Sequence, residues 1–385
     1  MSDRREVPFG RPVITDDDRR AVLEVLEGHI LTHGPQCKSF EAEFSAFLGP
    51  DAHAVSVSSC MAALHLSCLY FGFKAGDEVI VAAQTHVATA HAVEWTGARP
   101  VFIDCDPATG NVTAEIVERA ITPKTKGLLL VHFVGIPCDM PAIMKVADKH
   151  GIKVIEDCAI ALGARYDGRH VGLFGDAACF SFYPVKHMTS AEGGMFVSRH
   201  KDIVDRVTRI RAFGVDRTYA ERTLPGLYDV PMLGLNYRMS ELQAALGRSQ
   251  LRRLPDTLRV RASHFATLKK ALCAVEGIEV IDARDPKAAN SHYCLTIRPG
   301  GRWQGRRNDF VRAVNAEGVG TSVHYPQPVP RMEFYRKKYG YDPSRFPGAE
   351  SISDGTLALP VAPHISADDV EYIAGVVAQV AKGQR

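Results

Sequence analysis

The segment Phe180-Ser181-Phe182-Tyr183-Pro184-Val185-Lys186 runs from an apolar, strand-like stretch into a turn, and Glu192-Gly193-Gly194 follows it. A lysine after a turn is most often solvated, but this one has aromatic and apolar residues before it and glycines after it. Asp157 ends a second short apolar run, Lys153-Val154-Ile155-Glu156. Alone, that acid reads equally as a loop residue or a helix cap. A third stretch, Ser56-Val57-Ser58-Ser59-Cys60, leads into an apolar helical pattern over 61–69. Free backbone N–H groups at a helix start, with small hydroxyl residues beside them, suit a phosphate, although serines in that position are ordinarily plain caps.

Taken together, the three features fit one ligand. Pyridoxal phosphate (PLP) requires a phosphate cradle, a carboxylate opposite its pyridine nitrogen, a lysine for its aldehyde and a flat group against the ring. Its ring nitrogen and aldehyde carbon lie on opposite sides of the ring. Acid and lysine must therefore come from separate strand ends with the ring between them, which Asp157 and Lys186 satisfy.

Such a site needs a parallel sheet, because open parallel sheets place ligands beyond the carboxyl ends of their strands. The pattern supplies one. Short apolar runs at 78–81, 100–103, 127–131 and 153–155 alternate with helical stretches near 85–96, 113–121 and 139–150, the signature of strands covered by helices on both faces. Before them, Thr15 followed by Asp16, Asp17 and Asp18 predicts a capped helix ending at Gly28, and a second helix is expected over 40–48. Helical patterning over 240–253 closes this part. From Pro255 a long helix to about residue 275, a strand at 294–297, a helix near 308–317 and a last helix from Ala367 predict a second, smaller unit. The expected fold class is α/β: a large domain, 1–253, with a mostly parallel sheet covered by helices, and a smaller C-terminal α+β domain, 254–385.

A length of 385 residues suits two domains. Forty-six basic residues against forty-four acidic ones leave a net charge of +2, so neither nucleic acid nor an anionic membrane is expected as partner. No run reaches the roughly 18–20 apolar residues that span a bilayer, and the charged start Met1-Ser2-Asp3-Arg4-Arg5 lacks the apolar stretch of a signal peptide. The nine cysteines are odd in number, lack a CxxC pair and sit mostly in apolar stretches, which favours reduced thiols and a cytoplasmic location. No metal site is expected.

Longer motifs carry a resemblance. Leu31-Thr32-His33-Gly34-Pro35, Ser58-Ser59-Cys60-Met61-Ala62-Ala63-Leu64, Gly76-Asp77-Glu78-Val79-Ile80-Val81, Glu156-Asp157-Cys158-Ala159, the stretch 181–194, Gly234-Leu235-Asn236-Tyr237-Arg238-Met239 and Val323-His324-Tyr325-Pro326 occur in order over nearly the whole length. The chain thereby resembles the DegT/DnrJ/EryC1/StrS sugar aminotransferases, within the aspartate-aminotransferase fold (PLP fold type I). The resemblance implies PLP held covalently by Lys186, which also moves the proton between substrate carbon and cofactor. It implies Asp157 on the ring nitrogen, His86 against the ring face, and Ser181 with the backbone at Cys60 and Met61 on the phosphate. Asn236 would reach the phosphate of a neighbouring subunit, making a homodimer with shared active sites. His324 and Tyr325 would face the substrate. Without the motif, His86 reads as a helix-start histidine, and Asn236 and His324 as turn and strand-end residues.

The implied reaction exchanges the amine of glutamate, giving 2-oxoglutarate, for the carbonyl of a nucleotide-linked keto sugar, as in a 4-keto-6-deoxyhexose. Arg206, Arg209, Arg211 and Arg217 crowd one stretch; arginines bind diphosphates well, and Arg217 is the substrate candidate among them, although such a cluster serves equally as a solvated helix face. Three residues depart from the family pattern. Cys60-Met61 replaces Gly-Thr or Ala-Thr, Ile160 replaces a Gln or His near the cofactor's phenolic oxygen, and Ala191 replaces a glycine, which matters if that residue needs positive φ. A cyclitol or aminobenzoate-type substrate is a variant of the same reading. A family dehydratase carries histidine in place of the lysine, which Lys186 argues against. A PLP-binding regulator would need a DNA-binding segment that the sequence does not suggest, and the Asp157–Lys186 pair argues against a non-catalytic scaffold.

Overall fold

A computed structural model describes residues 5–217, 224 and 226–383. The central sheet is built from β1 (His53–Val57), β2 (Glu78–Ala82), β3 (Arg99–Ile103), β4 (Thr125–Val131) and β5 (Lys153–Asp157), then, after a short hairpin of β6 (Arg165–Tyr166) and β7 (Arg169–His170), β8 (Ala177–Ser181) and β9 (Gly194–Ser198). Its order is β1-β9-β8-β5-β4-β2-β3. Every neighbouring pair is parallel except those made by β9, which runs antiparallel to both β1 and β8.

The continuous apolar runs follow from burial on both faces. Along β2, Val79 and Val81 join one apolar cluster while Ile80 and Ala82 join another on the far side. Leu129 and Ile155 point to the first side, and Leu128, Leu130 and Val154 to the second. The first face is covered by α3 (Cys60–Tyr70), α4 (Val87–Glu94) and α7 (Lys201–Ile210), and the second by α5 (Ala114–Ala120) and α6 (Met140–His150). Under β8 and β9, the second side is closed by Phe40 and Phe44 of α2 (Pro35–Leu48) and Ala244 and Leu251 of α8 (Glu241–Arg252).

The first helix, α1 (Asp16–Glu27), starts at Thr15 with a capping box to Asp18 and stops at Gly28, as the sequence predicts. The second begins at Pro35 rather than Phe40, since proline at the first helical position is pre-organised for the turn. Two sheet strands escape the sequence pattern. β1 shares only its last two residues, Ser56 and Val57, with the run read as a helix lead-in, and β9 begins at the second glycine of the pair Gly193-Gly194.

The remaining chain forms α9 (Leu254–Cys273), β10 (Ile278–Ile281), β11 (Ala288–Ala289), β12 (Leu295–Pro299), α10 (Arg307–Ala316), α11 (Glu333–Tyr339), α12 (Pro347–Gly355), β13 (Leu357–Leu359) and α13 (Ala367–Lys382). Strands β10, β12 and β13 make an antiparallel sheet, while β11 pairs with β6. Arg253 is both the last cap of α8 and the first of α9, so the two helices abut at the position where the sequence predicts a boundary. The amino-terminal segment crosses it: Val7 bridges to Val319 and packs in the cluster with Phe310, Leu357 and Val377.

Glu156 lies fully buried in β5 and accepts four hydrogen bonds. They come from the backbone N–H groups of Gly172, Phe174 and Gly175 at 2.7–2.9 Å and from His132 Nε2 at 3.0 Å. His132 Nδ1 in turn accepts from Cys138 N, so the proton sits on Nε2. Together with the Cys158 thiol these side chains form a close His/Glu/Cys group, but its carboxylate and imidazole lone pairs are already committed to backbone donors, which marks a structural knot. Burial works against the Glu156 charge, and the surrounding hydrogen bonds outweigh it and hold the carboxyl below its usual value. A depressed carboxyl stabilises the fold fully above the unfolded value of about 4.3 and loses that contribution as pH falls through the folded value. Glu156→Gln turns an amide NH2 toward backbone donors, and the expected loss is about 3–5 kcal/mol, read as a lower midpoint in urea at pH 7. A midpoint matching the parent would refute the knot.

Candidate active site

Asp157 is the last residue of β5 and 3% exposed. Its Oδ1 accepts from Ala159 N at 3.0 Å and its Oδ2 from Thr89 Oγ1 at 2.8 Å. Thr89 lies one helical turn beyond Thr85, and the two buried hydroxyls are 2.8 Å apart. The carboxylate is thus aimed by α4 while the strand supplies its backbone. Among the described residues no cation forms an ion pair with it, so this buried carboxyl group has room for a cationic partner.

Strand β8 ends at Ser181, and the chain then folds back on itself. Ser190 N and Thr189 Oγ1 both donate to Phe182 O at 3.0 Å, and Phe182 N donates to Gly193 O at 2.9 Å. Inside this closed loop, Lys186 N donates to Tyr183 O, and the Lys186 Nζ stands 5.5 Å from the centre of the Tyr293 ring. Burial pushes the Lys186 amine below the ordinary lysine value, and the negative charge of Asp157 opposes that shift. Ala191, at the back of the loop, has φ +68°. It therefore does hold the left-handed conformation that glycine adopts without cost, and the departure from glycine stores local strain.

The start of α3 is held by a close contact. A Cβ on Gly194 would come within 2.5–2.6 Å of the Ser59 and Cys60 backbone, so glycine is what allows β9 to press against this turn. Ser59 caps the helix, its Oγ accepting from Ala62 N at 3.1 Å. The N–H groups of Cys60 and Met61 have no partner among the described residues, as expected for the first turn of a helix. The Cys60 thiol is driven toward its neutral form by burial and then by the nearby Asp157 charge, with Lys186 acting against both.

His86 caps α4, its Nδ1 accepting from Ala88 N at 3.2 Å. Burial lowers its pKa; the charges of Asp157 and Lys186 also reach it, with opposite signs. Its ring meets Tyr325 edge-on at 5.7 Å. The Tyr325 and His324 segment is brought in from the C-terminal part by Gln84, whose Nε2 donates to His324 O at 2.9 Å while its Oε1 accepts from Ser353 Oγ. Burial, then Lys186 and His86, push His324 down to about 3, and its Nδ1 is buried without a partner.

Cys60, Met61, His86, Asp157, Ser181, Lys186, His324 and Tyr325 thus gather at the carboxyl ends of β2, β5 and β8 and the start of α3. Two expected residues do not. Asn236 is exposed, in a segment held to the end of β1 by Ser58 N to Tyr237 O and bridged to Ala212. Arg217 pairs with its neighbour Asp216 and lines a separate cavity of about 790 Å³ with Arg209, Arg211 and Arg238. The arginine group divides there. Arg211 is committed to Glu41 at 2.8 Å and to Ser56 O, and Arg206 lines a different hollow, beside Trp95 and Leu233. Ile160 is buried in the first apolar cluster and offers no polar side-chain group. Sequence reasoning missed Thr89, Gln84 and Tyr293. Only the Thr85/Thr89 spacing of one helical turn signals any of them in the sequence.

The donor set fits PLP: two backbone N–H groups at a helix start for a phosphate, an unpaired buried carboxylate, and a lysine on a loop opposite it. The model of the DegT/DnrJ/EryC1/StrS aminotransferase family matches residues 12–378. The chain is 36% identical over 381 residues to the spore coat polysaccharide biosynthesis protein SpsC of Bacillus subtilis (strain 168), covering 98% of this chain and 97% of SpsC. It superposes on the aminotransferase TlmJ from Streptoalloteichus hindustanus with a TM-score of 0.90 at 31% identity, covering 99% of this chain and 100% of that one. Against the PLP-form of Spr1654 from Streptococcus pneumoniae the TM-score is 0.91 at 27% identity, with 98% and 99% covered. The chain belongs to the DegT/DnrJ/EryC1/StrS family and is a PLP-dependent aminotransferase.

Proposed function

We propose that this aminotransferase exchanges the amine of glutamate for the carbonyl oxygen of a nucleotide-linked keto sugar, in a homodimer whose sites are shared. The observation that carries the catalytic part is the placement of Asp157 and Lys186 after separate strand ends, the acid buried and the lysine half-buried, each within electrostatic reach of the other. When bound, PLP supplies an electron sink that stabilises negative charge on the carbon beside the transferred amine. Lys186 anchors the cofactor and, with its pKa lowered by burial, takes up and returns the proton at Nζ. Asp157, fixed by Thr89 and Ala159, presents its carboxylate to the ring nitrogen. Backbone N–H groups of Cys60 and Met61, with Ser181 Oγ, hold the phosphate at the helix start, and His86 lies against the ring. His324 and Tyr325 bound the substrate side and exclude water. With Ile160 in place, no side chain at that position donates to the phenolic oxygen, so the other contacts carry the cofactor's orientation.

The sugar reading is supported by the name of SpsC, which places that relative in polysaccharide biosynthesis. The nucleotide reading is supported by the cavity of about 790 Å³, whose wall includes Arg209, Arg217 and Arg238 and whose size suits a ligand of that class. Asn236, exposed and outside its own chain's cluster, is assigned to the partner's phosphate. No helix among the described residues is long and apolar enough to cross a membrane. All nine cysteines are free, which supports a reducing compartment and the cytoplasmic placement.

Three outcomes are expected. Purified protein is yellow, and borohydride reduction followed by peptide mapping labels Lys186; a label on another lysine would remove Lys186 from its role. Mixing Lys186→Ala with Asn236→Ala protomers restores part of the activity, since one composite site then carries neither change, whereas absence of any recovery counts against shared sites. Enzyme loaded with pyridoxamine phosphate regains its yellow colour on adding nucleotide-linked 4-keto sugars. A return only with free keto acids or cyclitol ketones would overturn the nucleotide-sugar assignment while leaving transamination intact.

A further inference from the structure

Arg261, on α9, is 3% exposed. Its single hydrogen bond among the described residues runs from Nη1 to the Tyr293 carbonyl oxygen at 2.8 Å, and its Nε is buried with no acceptor. No described carboxylate pairs with it. Its guanidinium lies 6.0 Å from the centre of the Tyr293 ring, the same ring that Lys186 approaches. A buried guanidinium without a counter-charge is unfavourable unless an anion comes to it.

A cavity of about 60 Å³ opens beside this side chain, beneath the loop that carries Lys186. Arg11, Arg253 and Arg261 line it together with Thr257 and Lys186, and no aspartate or glutamate does. Arg253 gives one nitrogen to Asp18, while its Nε is also buried and unpartnered. The histidines around Arg261 supply no negative charge. His187, His264, His292 and His364 are each held below the usual histidine value by burial first, and the Arg261 charge adds to that shift. With Nη1 occupied, the Nε–Nη2 edge of Arg261 remains, and two parallel N–H groups on one edge match two oxygens of an oxyanion.

We propose that this cavity is a binding site for a compact oxyanion, inorganic phosphate or a small carboxylate. Bound there, the anion ties the Lys186 loop to α9 and to the amino-terminal segment at Arg11. The space is too small for a nucleotide, so the site is distinct from the large arginine-lined cavity. It does not depend on which keto substrate the enzyme uses.

The test is the melting temperature of the PLP-loaded enzyme, titrated with inorganic phosphate and, separately, with acetate, at an ionic strength held constant with the bulky HEPES anion. The parent is expected to show a saturable rise of about 3 °C at a twenty-fold excess over half-saturation, and Arg261→Met, similar in bulk but uncharged, a flat response. A parent without saturable response, or an Arg261→Met protein that titrates like the parent, overturns the site. Should Arg261→Met not fold, Thr257→Val serves: a half-saturation concentration at least three-fold higher is expected, and an unchanged one overturns the proposal. Glutamate added as a third arm separates the two sources. Competition with phosphate assigns the oxyanion to the donor's carboxylate, and independence from phosphate assigns it to a free inorganic ion.

Discussion

The constraint on which the site depends is that an acid and an amine must both be withdrawn from bulk water without collapsing onto each other. A direct buried ion pair between them would be strong in the low-dielectric interior and would leave no room for a flat ring. Asp157 ends β5, and β8 is its parallel neighbour, paired at Asp157 with Cys179. Lys186 comes seven residues later, on a loop closed by hydrogen bonds to Phe182 and Gly193. The sheet sets where each begins, and the loop sets how far apart they stay. Thr89 then completes the arrangement, giving Asp157 a neutral donor that fixes its direction without neutralising its charge.

Consecutive residues of β5 show how burial of charge is handled in two ways. Side chains of a strand alternate between faces, so Glu156 and Asp157 point to opposite sides of the sheet. On the back, Glu156 receives three backbone donors and an imidazole and is complete in itself. On the front, Asp157 receives two donors, leaving lone pairs facing the site. The difference separates a residue that holds the β5–β8 crossing together from one that is free to bind. The acid in each case is buried, and it is the count of committed lone pairs that tells them apart.

Most of the frame was legible in the sequence because its strands are apolar on both faces and its helices are capped by ordinary means. The four runs at 78–81, 100–103, 127–131 and 153–155 became β2 to β5, and Thr15, Ser240 and Ser366 cap helices by side-chain hydrogen bonds. What stayed hidden depends on partners distant in the chain. β9 begins at the second of two glycines, Gly194, and becomes a strand through pairing with β1 and β8. Helices α11 and α12 are short and stand in a stretch rich in aromatic and charged residues, without a clean period. Within the site, Asp157, Lys186 and the start of α3 were readable because each ends a recognisable element. Gln84 and Tyr293 were not, since their roles arise only when residues 84, 293, 324 and 353 are folded together.

The Cys60-Met61 departure from the family pattern is tolerable for a local reason. In the proposed cofactor site, Cys60 and Met61 replace a hydroxyl donor, but the phosphate contacts that remain are backbone N–H groups, whose positions depend on the turn rather than on side-chain identity. That turn is held by Gly194 pressed against Ser59 and by the Ser59 cap, and neither is altered. Ala191 is the costlier change, because its left-handed φ is paid in strain whatever surrounds it. Its N–H donates to Thr189 Oγ1, and Thr189 donates in turn to Phe182 O, so the strained residue is pinned at the same point that closes the Lys186 loop. Strain located there resists relaxation only as long as the loop's other contacts hold, which makes the packing of that loop against α9, and any anion bound between them, part of what keeps Lys186 in place.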